Sequence, residues 1–222
     1  MTKSSIRCFG ILLALCFMVG SAAMADDLYP PAWRGTGGTT FQEWTFSSVK
    51  NPAAPENVSN PYGDPTATVI VGDSGLGWVG EDEIGTYGTK TGVWDLGAYG
   101  SLTLDIPNRP AAGGYKDIWV QVTYLYDPFD PPIITVDGAE YLGGESQVVE
   151  ELPMFGTWIC AQSKWRITPN PNSEVVRITG SDPMGSVIDQ VVVDTKCVPE
   201  PSAMVSLLAG AVGMLISRRR GK

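Results

Sequence analysis

A chain without a single histidine is barred from the commonest nucleophile and base pairs. Ser-His-Asp and Cys-His arrangements need an imidazole, and so do zinc sites built on histidine ligands. Carboxylates are the acid–base groups that remain: Glu81, Asp82 and Glu83 in a row, Asp127 and Asp130, and the neighbours Glu150 and Glu151. Two carboxylates hydrolyse a glycoside when one is held protonated and the other ionised on either side of the bond. The linear pattern sets no two of them face to face, and on an acidic chain such residues ordinarily form a solvated surface. The same groups offer oxygen ligands for Ca²⁺, but no EF-hand loop is present, and no metal or organic cofactor is expected. The glycines from Gly72 to Gly80 lack the lysine and helix of a phosphate-binding loop and read as turns.

Aromatic side chains are the other chemical resource. Seven tryptophans and eight tyrosines exceed what one core of this size needs, and an exposed ring can stack on the apolar face of a sugar. Most are expected in the core, where rings bury large areas. Trp33 and Trp78, flanked by Gly and Arg rather than alternating apolar residues, are the two candidates for carbohydrate contact.

Both ends of the chain carry targeting features. Lys3 and Arg7 precede an apolar stretch from Phe9 to Val19 and then Ala23-Met24-Ala25, which predicts a secretory signal peptide over residues 1–25, cleaved after Ala25. At the other end Val198-Pro199-Glu200-Pro201 leads into an apolar run, Ala203 to Ile216, closed by Arg218, Arg219, Arg220 and Lys222. As a helix the run reaches roughly 21 Å, a short span for a hydrocarbon core of about 30 Å. Arginines behind a span resist translocation, so they favour the cytoplasmic side and put the body on the opposite face. The prolines keep the segment before the span extended and accessible to a processing enzyme.

The order Val198-Pro199-Glu200-Pro201, short span and terminal Arg cluster resembles the PEP-CTERM sorting signal of bacteria. That resemblance covers residues 198–222 and implies recognition by a membrane-embedded exosortase in an organism that makes exopolysaccharide. It implies an exported protein, held at the outer face of the membrane during sorting and then placed on the cell surface or in the extracellular matrix.

Residues 26–197 remain as the body, long enough for one domain with its own core. With 23 acidic and 9 basic residues its net charge is −14, which argues against a nucleic-acid partner. Its two cysteines, Cys160 and Cys197, are expected to form a disulfide in an oxidising compartment. Closing that loop would contribute about 4 kcal/mol and tie down the last strand.

The pattern predicts an all-β body. Short β-rich runs bounded by turn residues recur from Phe41 to Phe46, Ala67 to Val71, Leu76 to Val79, Gly92 to Leu96, Ser101 to Ile106, Asp117 to Tyr126 and Ile133 to Val136. They continue at Gln147 to Leu152, Thr157 to Ala161, Lys164 to Thr168, Glu174 to Thr179 and Val187 to Asp194, with no helical periodicity between them. Ile118, Val120, Val122 and Tyr124 alternate with Trp119, Gln121, Thr123 and Leu125, marking a long central strand. Residues Asn51 to Pro65 read as irregular surface. The expectation is an antiparallel β-sandwich of jelly-roll type. Its closing pair, Glu174 to Thr179 and Ile188 to Asp194, is similar to the last strands of carbohydrate-binding-module and galactose-binding-like jelly rolls. These features together imply a non-catalytic surface protein with exopolysaccharide as its expected partner, the alternative being a carboxylate-based glycosidase.

Overall fold

The computed structural model describes residues 27–80, 87–109 and 114–199. The signal peptide, Glu81 to Glu83, Glu200, Pro201, the apolar run and Arg218 to Arg220 lie outside the described residues. The described part is all-β and antiparallel, with no helix. Its strands are β1 (Thr39–Trp44), β2 (Asn57–Ser59), β3 (Thr66–Ile70), β4 (Gly77–Val79), β5 (Val93–Asp95), β6 (Ser101–Pro107), β7 (Tyr115–Tyr126), β8 (Ile133–Val136), β9 (Glu140–Leu152), β10 (Gly156–Ile167), β11 (Ser173–Thr179) and β12 (Val187–Val198).

Two sheets face each other. Sheet A runs β2-β1-β12-β7-β10-β9, with β5 joined to the start of β12 and β4 to β5; sheet B runs β3-β6-β11-β8. The alternation of β7 explains the arrangement. Ile118, Val120, Val122 and Tyr124 point inward and meet Leu102, Leu104 and Ile106 of β6 and Val176 and Ile178 of β11 in one core. Period-two burial of this kind leaves a strand's second face to water unless something covers it.

On sheet A something does. At one end of its outer face Trp158 and Leu125 pack with Tyr87, Val93 and Val187 in a second, smaller core, where the Trp158 indole donates to the Tyr87 carbonyl at 3.0 Å. At the other end the chain before β1, residues 27–36, lies across the sheet as a strap. The middle of sheet A is therefore covered on both faces, which explains why β12 is buried from Val187 through Thr195 on both sides of its pleat.

Several expectations change. Thr157 to Ala161 and Lys164 to Thr168 belong to one strand, β10, which runs straight through Gln162 and Ser163. The segment Asn51 to Pro65 contains the short edge strand β2.

The disulfide expectation is overturned. Cys160 lies on β10 opposite Thr123, while Cys197 lies on β12 opposite Lys116. The two cysteines therefore flank β7 on opposite sides, seven residues apart along it, and are not bonded to each other. At about 3.3 Å per residue that is roughly 23 Å, against a Cα limit of about 7 Å for a bond. Cys160 is buried with its Sγ 4.0 Å from Gln121 Oε1, and the Cys197 thiol donates to Asn108 Oδ1 at 3.3 Å. What holds the end of β12 is the ladder itself, which pairs Cys197 with Lys116 and Val198 with Tyr115.

Candidate functional site

A concave feature among the described residues arises because sheet A is wider than sheet B. β9 pairs only with β10 and is exposed along most of its length, so the inner faces of β9 and β10 extend past β8, the edge strand of sheet B. The overhang leaves a groove of about 390 Å³. Tyr124, Ala161, Ser163 and Trp165 form its floor from sheet A, Tyr141 rises from β9, and Pro131, Pro132 and Ile134 form the opposite wall at the start of β8.

Local sequence fixes these side chains. Trp165 and Tyr141 are directly paired across β10 and β9, and their rings meet edge to face at 5.0 Å between centroids. A pair of this kind adds roughly 0.5–1.5 kcal/mol beyond its buried area and holds both rings in place. The Trp165 indole donates to Ser163 Oγ at 2.8 Å, which orients the ring from two residues away on the same face of the strand. Tyr141 remains 55 % exposed. Register shifts between β9 and β10, one immediately beside this pair at Lys164/Trp165 and one further along at Trp158/Ile159, bend β9 where it borders the groove. The prolines opposite cannot donate to a ladder, so the wall ends sheet B instead of extending it.

No carboxylate lines the groove. The described carboxylates that are pushed above their ordinary range sit elsewhere, each in a closed setting. Burial raises the Asp95 carboxyl, although it accepts from the backbone N–H groups of Leu76 and Gly97. Burial likewise pushes Glu174 up to about 6, with Lys116 drawing it back only partly. Asp194 is pushed up to about 6 by burial and by the charge of Asp27, against the pull of Arg34. Among the expected acid–base candidates, Glu150 accepts from the Thr89 hydroxyl at 2.8 Å and Glu151 is exposed. Among the described residues no cluster of three or more His, Cys, Asp or Glu has a metal-binding arrangement, so Asp127 and Asp130 gather no third ligand.

Trp33 and Trp78 do not come together, and neither lies in the groove. Trp33 belongs to the strap, half-buried, its ring edge-on to Trp119 at 5.8 Å on the outer face of sheet A. Trp78 on β4 is packed against the main core and its indole donates to the Phe46 carbonyl at 2.9 Å. Flanking glycines suggested exposure for both; for Trp78 Gly80 instead makes room, since a Cβ there would strike the indole. The aromatic residues that do line the concavity are Trp165, Tyr141 and Tyr124. Trp165 was visible among the surplus tryptophans, but Tyr141 lies between the expected runs Ile133 to Val136 and Gln147 to Leu152, where no strand was expected.

The strap is held by a partly buried polar network. Arg34 grips Asp194 through Nε and Nη2, both at 2.6 Å, and its other side engages Asp27, one oxygen of which also accepts from Gln121 Nε2 at 2.7 Å. Burial works against the guanidinium charge, yet the two carboxylates outweigh it and raise its pKa. Gln121 and Gln162 read the strap backbone at one residue: Gln121 Oε1 accepts from Tyr29 N at 2.9 Å, and Gln162 Nε2 donates to Tyr29 O at 3.2 Å. Arg34 also stacks over Phe41 at 4.4 Å.

Among the described residues no helix is long and apolar enough to cross a membrane. Comparison with protein-family models, with curated proteins and with solved structures finds no match to this chain.

Proposed function

We propose that this chain is an exported bacterial cell-surface or extracellular-matrix protein, sorted through its C-terminal tail, whose sandwich binds a polysaccharide chain without cleaving it. The observation that carries the binding reading is the overhang groove. Tyr141 and Trp165 offer ring faces and edges to a sugar, and Ser163 adds a hydroxyl to the groove. Its shape suits a chain, because Trp165 lies opposite Ile118, six residues from Tyr124 along β7, a strand distance of about 20 Å. The lack of a lining carboxylate favours binding over hydrolysis.

The strand order supports the jelly-roll reading. From β6 onward the chain alternates between the sheets, and the terminal strands β1 and β12 are neighbours. β9 departs from that pattern by joining β10, and this departure widens sheet A and opens the groove.

The sorting reading rests on the tail residues, with an exosortase-type enzyme as processing partner and the membrane as transient anchor. Intact mass of the mature surface form tests it: loss of residues 1–25 and of the Arg218 to Lys222 end is expected, and recovery of either segment refutes it. Affinity electrophoresis of residues 26–197 against exopolysaccharide tests binding. Tyr141→Ala and Trp165→Ala should each weaken retardation by about tenfold, the order expected for losing a ring contact of 1–2 kcal/mol. Trp33→Ala should leave it unchanged. Sensitivity to Trp33 with indifference to Tyr141 and Trp165 would overturn the groove assignment, and release of shorter glycans would overturn the non-catalytic reading.

A further inference from the structure

Between the two sheets, where β7 begins, Lys116 and Glu174 meet in a setting unlike any other described ion pair. Both side chains are 0 % exposed, whereas each of the other described pairs keeps at least one member in contact with water. Lys116 Nζ touches Glu174 Oε1, and neither group meets another polar side chain. Lys116 belongs to β7 of sheet A and Glu174 to β11 of sheet B, so the contact is the one polar crossing of the apolar core among the described ion pairs.

We propose that Lys116 and Glu174 condense to an intramolecular amide that links the two sheets covalently. An amine and a carboxylic acid fail to condense in water chiefly because they ionise, and hydration holds the ammonium and carboxylate far below the neutral pair. A dry site removes that hydration, costing several kcal/mol per ion. Burial already pushes the Glu174 carboxyl up to about 6. Passage of one proton from the ammonium to the carboxylate leaves a neutral amine against a neutral acid. The Nζ lone pair then attacks Glu174 Cδ, the C–O bond of the protonated oxygen breaks, and the hydroxyl departs as water with a proton from nitrogen. One N–C bond forms, one C–O bond breaks, one water is lost, and no oxidant, metal or external reagent is consumed.

Position supplies what solution lacks. Groups fixed in contact react as if at about 10⁵–10⁸ M when the geometry suits attack. Lys116 is held by pairing with both Cys197 and Ile167, and Glu174 by pairing with Ile106, so neither can swing out to solvent without opening a ladder. The released water leaves a more apolar contact, and the buried charges it replaces are gone. The product joins residues 58 positions apart in the chain, from one face of the sandwich to the other.

Intact mass of the folded protein decides the matter. The amide lowers the mass by about 18 Da from that of the processed sequence, and protease digestion yields one branched peptide containing Lys116 and Glu174. The Lys116→Met/Glu174→Met double variant, which replaces both groups with apolar chains, should show the full sequence mass and two linear peptides. A wild-type protein of full mass, with Lys116 and Glu174 on separate peptides, overturns the proposal. So does an 18 Da deficit that persists in the double variant, since the water would then have been lost elsewhere.

Discussion

Removing the guanidinium that clamps the strap tests the physics of the outer face most directly. Asp194 is fully buried, and Arg34 supplies both of its 2.6 Å contacts. Replacing Arg34 with methionine keeps the bulk of the stem and leaves an unpaired carboxylate under the strap. Breaking a buried pair from one side costs about 3–5 kcal/mol, so the variant should lose that much at pH 7. The sign of the pH dependence follows from the direction of the shift. The folded-state pKa of Asp194, about 6, lies above the unfolded value of 3.8, so its contribution is fully present below 3.8 and is lost as pH rises through 6. Going from pH 7 to pH 5 should therefore add about 1 kcal/mol to the wild type from this group. The variant should gain more, because without Arg34 nothing opposes the desolvation that already raises the carboxyl. Urea unfolding at pH 7 and pH 5, followed by tryptophan fluorescence, measures the difference. An Arg34→Met loss below about 1 kcal/mol at pH 7, or an equal loss at both pH values, would refute the account.

Two further outcomes are expected. Alkylation of the denatured, unreduced body should label both Cys160 and Cys197, adding two carbamidomethyl groups by mass; a body that resists labelling until reduced would restore the disulfide. Gly100→Ala should destabilise by about 2–4 kcal/mol in thermal unfolding, because a Cβ there runs into the Leu96 carbonyl oxygen and the Gly72 backbone, neither of which is a flexible side chain. A variant within 0.5 kcal/mol of wild type, roughly the noise of a surface substitution, would show that the loop yields.

The sandwich was legible where one face is wet or apolar and the other is different. β7 shows this in Ile118 to Tyr124, and β8 and β11 match their expected spans almost residue for residue. β10 looks like two runs in the sequence because Gln162 and Ser163 interrupt its apolar pattern. They are buried there because Gln162 bonds Tyr29 of the strap, 133 positions away, and Ser163 accepts from the Trp165 indole two residues further on. Residues 27–36 read as irregular, being dense in Pro and Gly, and they are irregular; what the composition cannot show is that Asp27 and Arg34 close on Asp194, 160 positions beyond Arg34. The groove depends on where sheet B stops, a property of two sheets at once, so no single strand announces it. The cysteine expectation failed for the opposite reason: an even count carries no distance, and β7 stands between the two thiols.

The place where β12 ends has a mechanical consequence. Its last residues lie between β7 and β1, antiparallel to both, with Lys196 opposite Thr39 and Val198 opposite Tyr115. Tension applied to the chain beyond Val198 acts along the axis of β12, toward the end of the sheet where β1 and β7 begin. The ladder bonds then bear the load together, in shear, from Val198 back toward Ile188, rather than opening one after another as they would if the strand were peeled sideways. A body tethered by this end and gripping a polymer through β9 and β10 would pass the force across the middle of sheet A, through β7, the strand buttressed on both faces.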